Sequence, residues 1–247
     1  MKIDYKSIYH PRNLDHEYYK RQLKKPYEST VSFFKFLNSK CNLKNKKIAD
    51  LACGNGANLI YLKKNFKVGD CYGLDQNSLL INQAKRITKK KKIKGLFFKK
   101  ADIQSNKMKS LKLKLDGATC IQTLSVLDDY KKTVKFAKRL GSKFICVNSL
   151  FWKGEIDFKI SVNFLKKNSR DVIKVNHYNI YSLSHYIKYL NKIGFKKHFI
   201  LKFTNSKNLK TKKQNLMGSH TVNLNGKSVT KSGPLILEWF FILSKIN

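Results

Sequence analysis

Between residues 45 and 150 the chain alternates short apolar runs with amphipathic stretches, roughly one strand and one helix at a time. The first run, Ile48-Ala49-Asp50-Leu51, breaks at a turn containing Gly54 and Gly56 and continues into a helical pattern over Leu59–Lys64. A second apolar strand, 70–75, ends at Asp75 and leads to a helix over Leu79–Lys89. Leu80, Ala84 and Ile87 face inward there, and Ser78 is the expected N-cap. Leu96–Lys99 reads as a third strand and Leu115–Gln122 as a fourth. A helix over Tyr130–Leu140 follows, with Gly141 placed to end it, and then an almost wholly apolar fifth strand, Phe144–Leu150. Upstream, Pro11 and Pro26 bracket a helix over Leu14–Lys24, and Ser29–Leu37 forms a second helix. Downstream, Tyr181–Gly194 carries a helical stripe of Leu183, Ile187 and Leu190, with Ser182 or Ser184 as cap. A sixth strand is expected over Phe195–Thr204, then a hairpin around Asn225-Gly226 and a last strand over Leu235–Lys245.

The first strand and its turn carry the sharpest chemical signal. Glycines between a strand and a helix let backbone approach a ligand where a Cβ would clash, and the helix N-terminus presents unpaired N–H groups. Three acidic residues recur at strand ends: Asp50, Asp75 and, after the third apolar run, Asp102. An acid at the end of a second strand suits ribose hydroxyls, because a carboxylate accepts from two of them. A dinucleotide fingerprint would need a small residue three positions after Gly56, and Leu59 stands there.

The stretch D-L-A-C-G-N-G resembles motif I of class I S-adenosylmethionine-dependent methyltransferases, with Ala52 in place of the first glycine. Y-G-L-D (72–75) resembles motif II, K-A-D-I (100–103) resembles motif III, and 116–127 resembles the fourth strand and the loop after it. The resemblance covers about residues 45 to 150 well and the C-terminal strands loosely. It implies an α/β fold: a Rossmann-like, doubly wound, mostly parallel seven-stranded sheet with an antiparallel last strand and helices on both faces. It implies S-adenosyl-L-methionine as cofactor and S-adenosyl-L-homocysteine as product. Asp50, Ala52, Gly54, Gly56, Asp75, Gln76, Asp102, Ile103 and Gln122 are the cofactor residues it implies, with Asp102 at the adenine amino group and an apolar neighbour over the ring. Residues 1–44 become a helical segment over the cofactor mouth, and 45–247 the methyltransferase domain. Insertions 151–180 and 205–234 leave the C-terminal ends of the fifth and sixth strands, where such sheets bind ligands, so they are expected to form the acceptor lid.

Composition changes this picture little. At 247 residues one α/β domain with a full core is expected. The net charge of +37 points toward nucleic acid or an anionic membrane. Yet the basic residues are nearly all Lys, with Arg only at Arg12, Arg21, Arg86, Arg139 and Arg170, and bidentate phosphate and base contacts usually use Arg. The diffuse Lys excess, with abundant Asn, Ile, Phe and Tyr, is what drift of an AT-rich coding sequence produces. The four consecutive lysines 89–92 suit a helix C-terminus, with a phosphate contact as the alternative. The five cysteines show no C-x-x-C spacing, so neither zinc nor a disulfide framework is expected, and no metal. No secretory h-region or membrane-spanning run stands out, and a cytoplasmic protein is expected.

Methyl transfer to a hydroxyl needs a base, and the candidates are His177, His220 and Asp128, with Glu155 beside them. N-P-P-Y, the signature of adenine or glutamine amide methylation, does not occur, since Pro stands only at 11, 26 and 234. The first expectation is O-methylation of a small molecule or saccharide. An RNA or rRNA methyltransferase using the basic surface is the alternative, and a non-catalytic binder of the same fold is the third.

Overall fold

The computed structural model describes residues 16–105, 113–127, 129–165, 168–204, 219–232, 235–236 and 238–246. Two helices, α1 (His16–Lys24) and α2 (Glu28–Cys41), precede β1 (Ile48–Leu51). Then come α3 (Ala57–Asn65), β2 (Cys71–Asp75), α4 (Ser78–Lys90), β3 (Leu96–Lys100) and β4 (Gly117–Ile121). A 3-10 turn, Leu124–Val126, leads to α5 (Tyr130–Arg139) and β5 (Phe144–Trp152). The C-terminal part holds β6 (Phe158–Leu165), β7 (Val172–Ser182), α6 (Leu183–Lys192), β8 (Lys197–Phe203), β9 (Ser219–Leu224), β10 (Lys227–Ser232), β11 (Leu235–Ile236) and β12 (Trp239–Lys245).

The main sheet runs β3-β2-β1-β4-β5-β12-β8. The pairings β1–β2, β2–β3, β1–β4 and β4–β5 are parallel, and β12 is antiparallel to both β5 and β8. The expected seven-stranded path with its antiparallel last strand is therefore present. The strand order reverses between β1 and β4, which places a ligand crevice outside their C-terminal ends.

Strand alternation sends side chains to two separate cores. Ala49 and Leu51 join α5 and α6 through Val134, Ala137, Tyr186 and Leu190 on one face. Ile48 joins α2, α3 and α4 through Phe33, Leu37, Leu59 and Ile81 on the other. Helices thus cover both faces of a sheet whose central strands are buried throughout.

Four local expectations need correction. The sheet has nine strands: β6 and β7 form an antiparallel pair, and β7 runs parallel to the end of β5. Tyr181 accordingly lies in β7, which ends at Ser182, and the following helix starts at Leu183 with Ser182 as its cap, accepting from the His185 N–H. The N-cap of α4 is Asn77, whose side-chain oxygen accepts from Leu79 and Leu80 N–H at 3.0 and 3.3 Å; a carbonyl oxygen one residue earlier does what Ser78 was expected to do. The last strand is broken, since 235–236 pairs with β10 in a separate three-stranded sheet while 239–245 enters the main one. Two sheets draw on one apolar run, and hydropathy alone does not reveal the break.

Candidate functional site

The turn after β1 passes through three residues of positive φ: Ala52 at 59°, Gly54 at 55° and Gly56 at 80°. A Cβ on Gly56 would fall 2.6 Å from the Phe98 ring, so this glycine makes room for β3. A Cβ on Gly54 would fall 2.9 Å from Tyr19 Cε1, so α1 lies against the turn. Ala52 does carry a Cβ into the left-handed region, which costs roughly 1–2 kcal/mol relative to the right-handed one.

Asp50 is 1% exposed. Its Oδ1 accepts from Thr119 Oγ1 at 2.7 Å, across the β1–β4 register, while Oδ2 has no partner. Burial pushes its carboxyl up to about 7, against the opposing hydrogen bond from Thr119, and the nearby Asp75 adds to the rise. Asn55, equally buried, accepts the Ala57 N–H at 3.3 Å and leaves Nδ2 unpaired. An unpaired acceptor and an unpaired donor thus flank the glycine turn. Such a pair can receive an ammonium and a carboxylate.

Asp75 holds the turn in place. Its Oδ2 accepts the Gly54 N–H and its Oδ1 the Asn77 N–H, both at 2.8 Å. Burial raises its pKa, and the two N–H groups oppose the rise. Each oxygen keeps a second lone pair, so a diol can still be accepted. Gln76, half-buried, follows it. After β3, Asp102 is exposed and accepts the Gln104 N–H at 2.9 Å, while Ile103 is buried beneath. At the end of β4, Gln122 has φ 55°, and its side-chain amide donates to Ser29 Oγ of α2 at 3.2 Å. The ends of β1, β2, β3 and β4 therefore bring the expected cofactor residues to one edge of the sheet.

The base candidates fare differently. His177 is half-buried on β7, with Nδ1 3.1 Å from Ser161 Oγ. Glu155 is exposed and engaged by His185 Nε2 at 2.7 Å and Ser184 Oγ at 2.5 Å, which leaves it a surface role. The His220 backbone pairs with Lys231 in the hairpin, and its side chain lies outside the described residues, as does the whole of Asp128. Asp129 caps α5 by accepting the Lys131 N–H at 2.8 Å. The loop between them is pinned from β7: the Leu127 carbonyl accepts from Asn179 Nδ2 at 2.7 Å and from the Tyr181 hydroxyl. Sequence reasoning missed Asn55, Thr119 and Asn179. Asn55 was visible as the middle residue of G-x-G; the other two are identified only by what they touch.

A family model for the methyltransferase domain matches residues 42–215. The chain belongs to the methyltransferase domain family. No curated protein matches the sequence. Among solved structures, the N-terminal domain of EvdMO1 in the presence of S-adenosylhomocysteine and D-fucose is similar at 12% identity and TM-score 0.60, over 90% of this chain and 84% of that one. An S-adenosylmethionine-dependent methyltransferase from Clostridium acetobutylicum shares 16% identity at TM-score 0.54, over 94% and 97% of the two chains. A possible histamine N-methyltransferase from Thermotoga maritima shares 17% at TM-score 0.54, over 94% and 95%.

The methyltransferase takes S-adenosylmethionine as cofactor and releases S-adenosylhomocysteine. The unpaired Asp50 Oδ2 and Asn55 Nδ2 fit the charged amino-acid end of that molecule. Among the described residues of the methyltransferase, no cluster of His, Cys, Asp or Glu could hold a metal, and no helix is long and apolar enough to cross a membrane.

Proposed function

We propose that this methyltransferase O-methylates a small hydroxylated acceptor, with saccharides the first class to test. The observation that carries the reading is the character of the mouth at the end of β4. The side chains that hydrogen-bond there include the neutral Ser29, Gln122, Thr123, Asn179 and Tyr181, with Lys159 Nζ lying over the Tyr181 ring at 4.8 Å. Neutral donors and acceptors suit hydroxyls, whereas an ammonium acceptor calls for a carboxylate. A neighbour in fold was crystallised with D-fucose, which supports the same class.

Bound S-adenosylmethionine supplies a methyl group on a sulfonium, with a neutral thioether as leaving group. This chain's residues bind and orient. Asp50 and Asn55 would hold the amino-acid end, with the backbone of Ala52, Gly54 and Gly56 lining its approach. Asp75, followed by Gln76, would take the ribose hydroxyls. By the family resemblance, Asp102 would accept from the adenine amino group, Ile103 would cover the ring, and Gln122 would also contact the cofactor. The segment carrying Tyr19 covers the turn, and the β6–β7 hairpin would close over the acceptor and exclude water. His177, whose Nδ1 is engaged by Ser161, would take the proton of the acceptor hydroxyl at Nε2. His220 and Asp128 are the other two candidates for that proton. Five free cysteines, four of them buried, support a cytoplasmic setting.

The test is methyl transfer from cofactor carrying a labelled methyl group to a panel of free sugars and glycosides, with RNA as the second panel. Labelled methyl ether on a sugar is the expected product. Label on RNA alone would replace this reading with the one that the charge of +37 favours.

A further inference from the structure

Asn148 sits in the middle of the apolar strand β5, fully buried, and neither Oδ1 nor Nδ2 has a partner. Trp239 of β12 is 6% exposed, and its Nε1 is unpartnered too. The register places the two side by side. Asn148 lies opposite Ile121 on β4 and Phe241 on β12, while Trp239 lies opposite Leu150 on β5 and Phe203 on β8. Residues opposite each other or two apart share a face, so Asn148 and Trp239 are diagonal neighbours within reach of one another. Asp50 and Thr119 stand on that face, two residues along β4 from Ile121. Asn148 is level with the last residue of β4, and its carbonyl accepts the Gln122 N–H at 2.8 Å. The two side chains therefore lie on the cofactor face at the crevice end of the sheet.

An unpaired amide among Ile121, Cys146, Leu150 and Phe241 serves no packing purpose, because an aliphatic side chain would fill the place without an unmade hydrogen bond. Ser149 and Tyr186 are also unpartnered, but strand alternation and core membership put them on the opposite face. We infer that Asn148 and Trp239 anchor the acceptor, taking two adjacent hydroxyls of a neutral sugar. Asn148 Oδ1 accepts from one hydroxyl, Nδ2 and the indole N–H donate to its neighbour, and the indole ring covers a C–H face of the sugar. Ile160 and Tyr178 of the hairpin pack against the same cluster. This inference rests on the saccharide reading above and gives it named residues.

The chain has two tryptophans, so the indole region of a nitrogen-15 correlation spectrum holds two side-chain peaks, with the half-exposed Trp152 as internal control. Trp239→Phe assigns them. Neutral monosaccharides, D-fucose first, are titrated into the protein saturated with S-adenosylhomocysteine. The Trp239 peak is expected to shift saturably and the Trp152 peak to stay. Asn148→Leu is expected to raise the Tm, keep S-adenosylhomocysteine affinity within twofold and weaken the sugar at least tenfold. Unchanged sugar binding in Asn148→Leu, or no shift of Trp239 with any sugar while S-adenosylhomocysteine still binds, overturns the inference alone. A folded protein that does not bind S-adenosylhomocysteine takes down the cofactor reading with it.

Discussion

Asp50 holds its proton in the folded protein over a range where the unfolded chain has released it, because burial raises its carboxyl from 3.8 to about 7. The sign follows by linkage: the stabilisation is complete below about pH 4 and is lost as pH rises through about 7. A shift of that size corresponds to on the order of 4 kcal/mol. In the free protein, Tm should therefore fall between about pH 4 and 7, and Asp50→Asn should flatten that fall; an equal slope in the variant would show that Asp50 does not titrate as described. Ionised Asp50 would suit the ammonium of the cofactor, whose charge would add to the opposition that Thr119 and Asn58 already offer to burial. His177 makes a separate prediction. His177→Asn should lower kcat by about 10²–10⁴ while leaving S-adenosylhomocysteine affinity in place. An unchanged kcat would pass the role to His220 or Asp128.

At the scale of elements, the loop after β4 is held from β7, through Asn179 and Tyr181 on the Leu127 carbonyl. Asn179→Leu should speed amide exchange across residues 124–127 without altering exchange in β1 or β2, and identical exchange in the loop would mean the pin is not needed. This tie was not legible in the sequence. The strands that periodicity marks well, β1 to β5, are those whose apolar runs alternate with helices. Their Gly and Asp residues were readable because chain order alone sets where a strand ends. In β7, Lys174, Asn176, His177 and Asn179 interrupt the apolar positions, so it read as an irregular insertion. Asn148 was overlooked for the opposite reason. Its neighbours Cys146, Val147 and Leu150 are so apolar that the strand was taken as buried as a whole, and only the absence of a partner within bonding distance marks the amide out.

For the whole molecule, the charge of +37 separates two classes of acceptor. A neutral sugar carries no counterions to release, so kcat/KM should vary by less than about threefold between 50 and 200 mM salt, whereas an RNA acceptor held by several lysines would lose about 10³-fold or more over that span. The steep result would make the lysines functional. The central claim is that the glycine turn of β1, clamped by Asp75, binds the cofactor. Titration calorimetry of S-adenosylhomocysteine into the wild type and Asp75→Ala, with circular dichroism on both and Asp75→Asn as the milder variant, tests it most directly. Binding by the wild type, weakened at least tenfold in a folded Asp75 variant, is the expected result; a folded wild type that binds no S-adenosylhomocysteine contradicts the account.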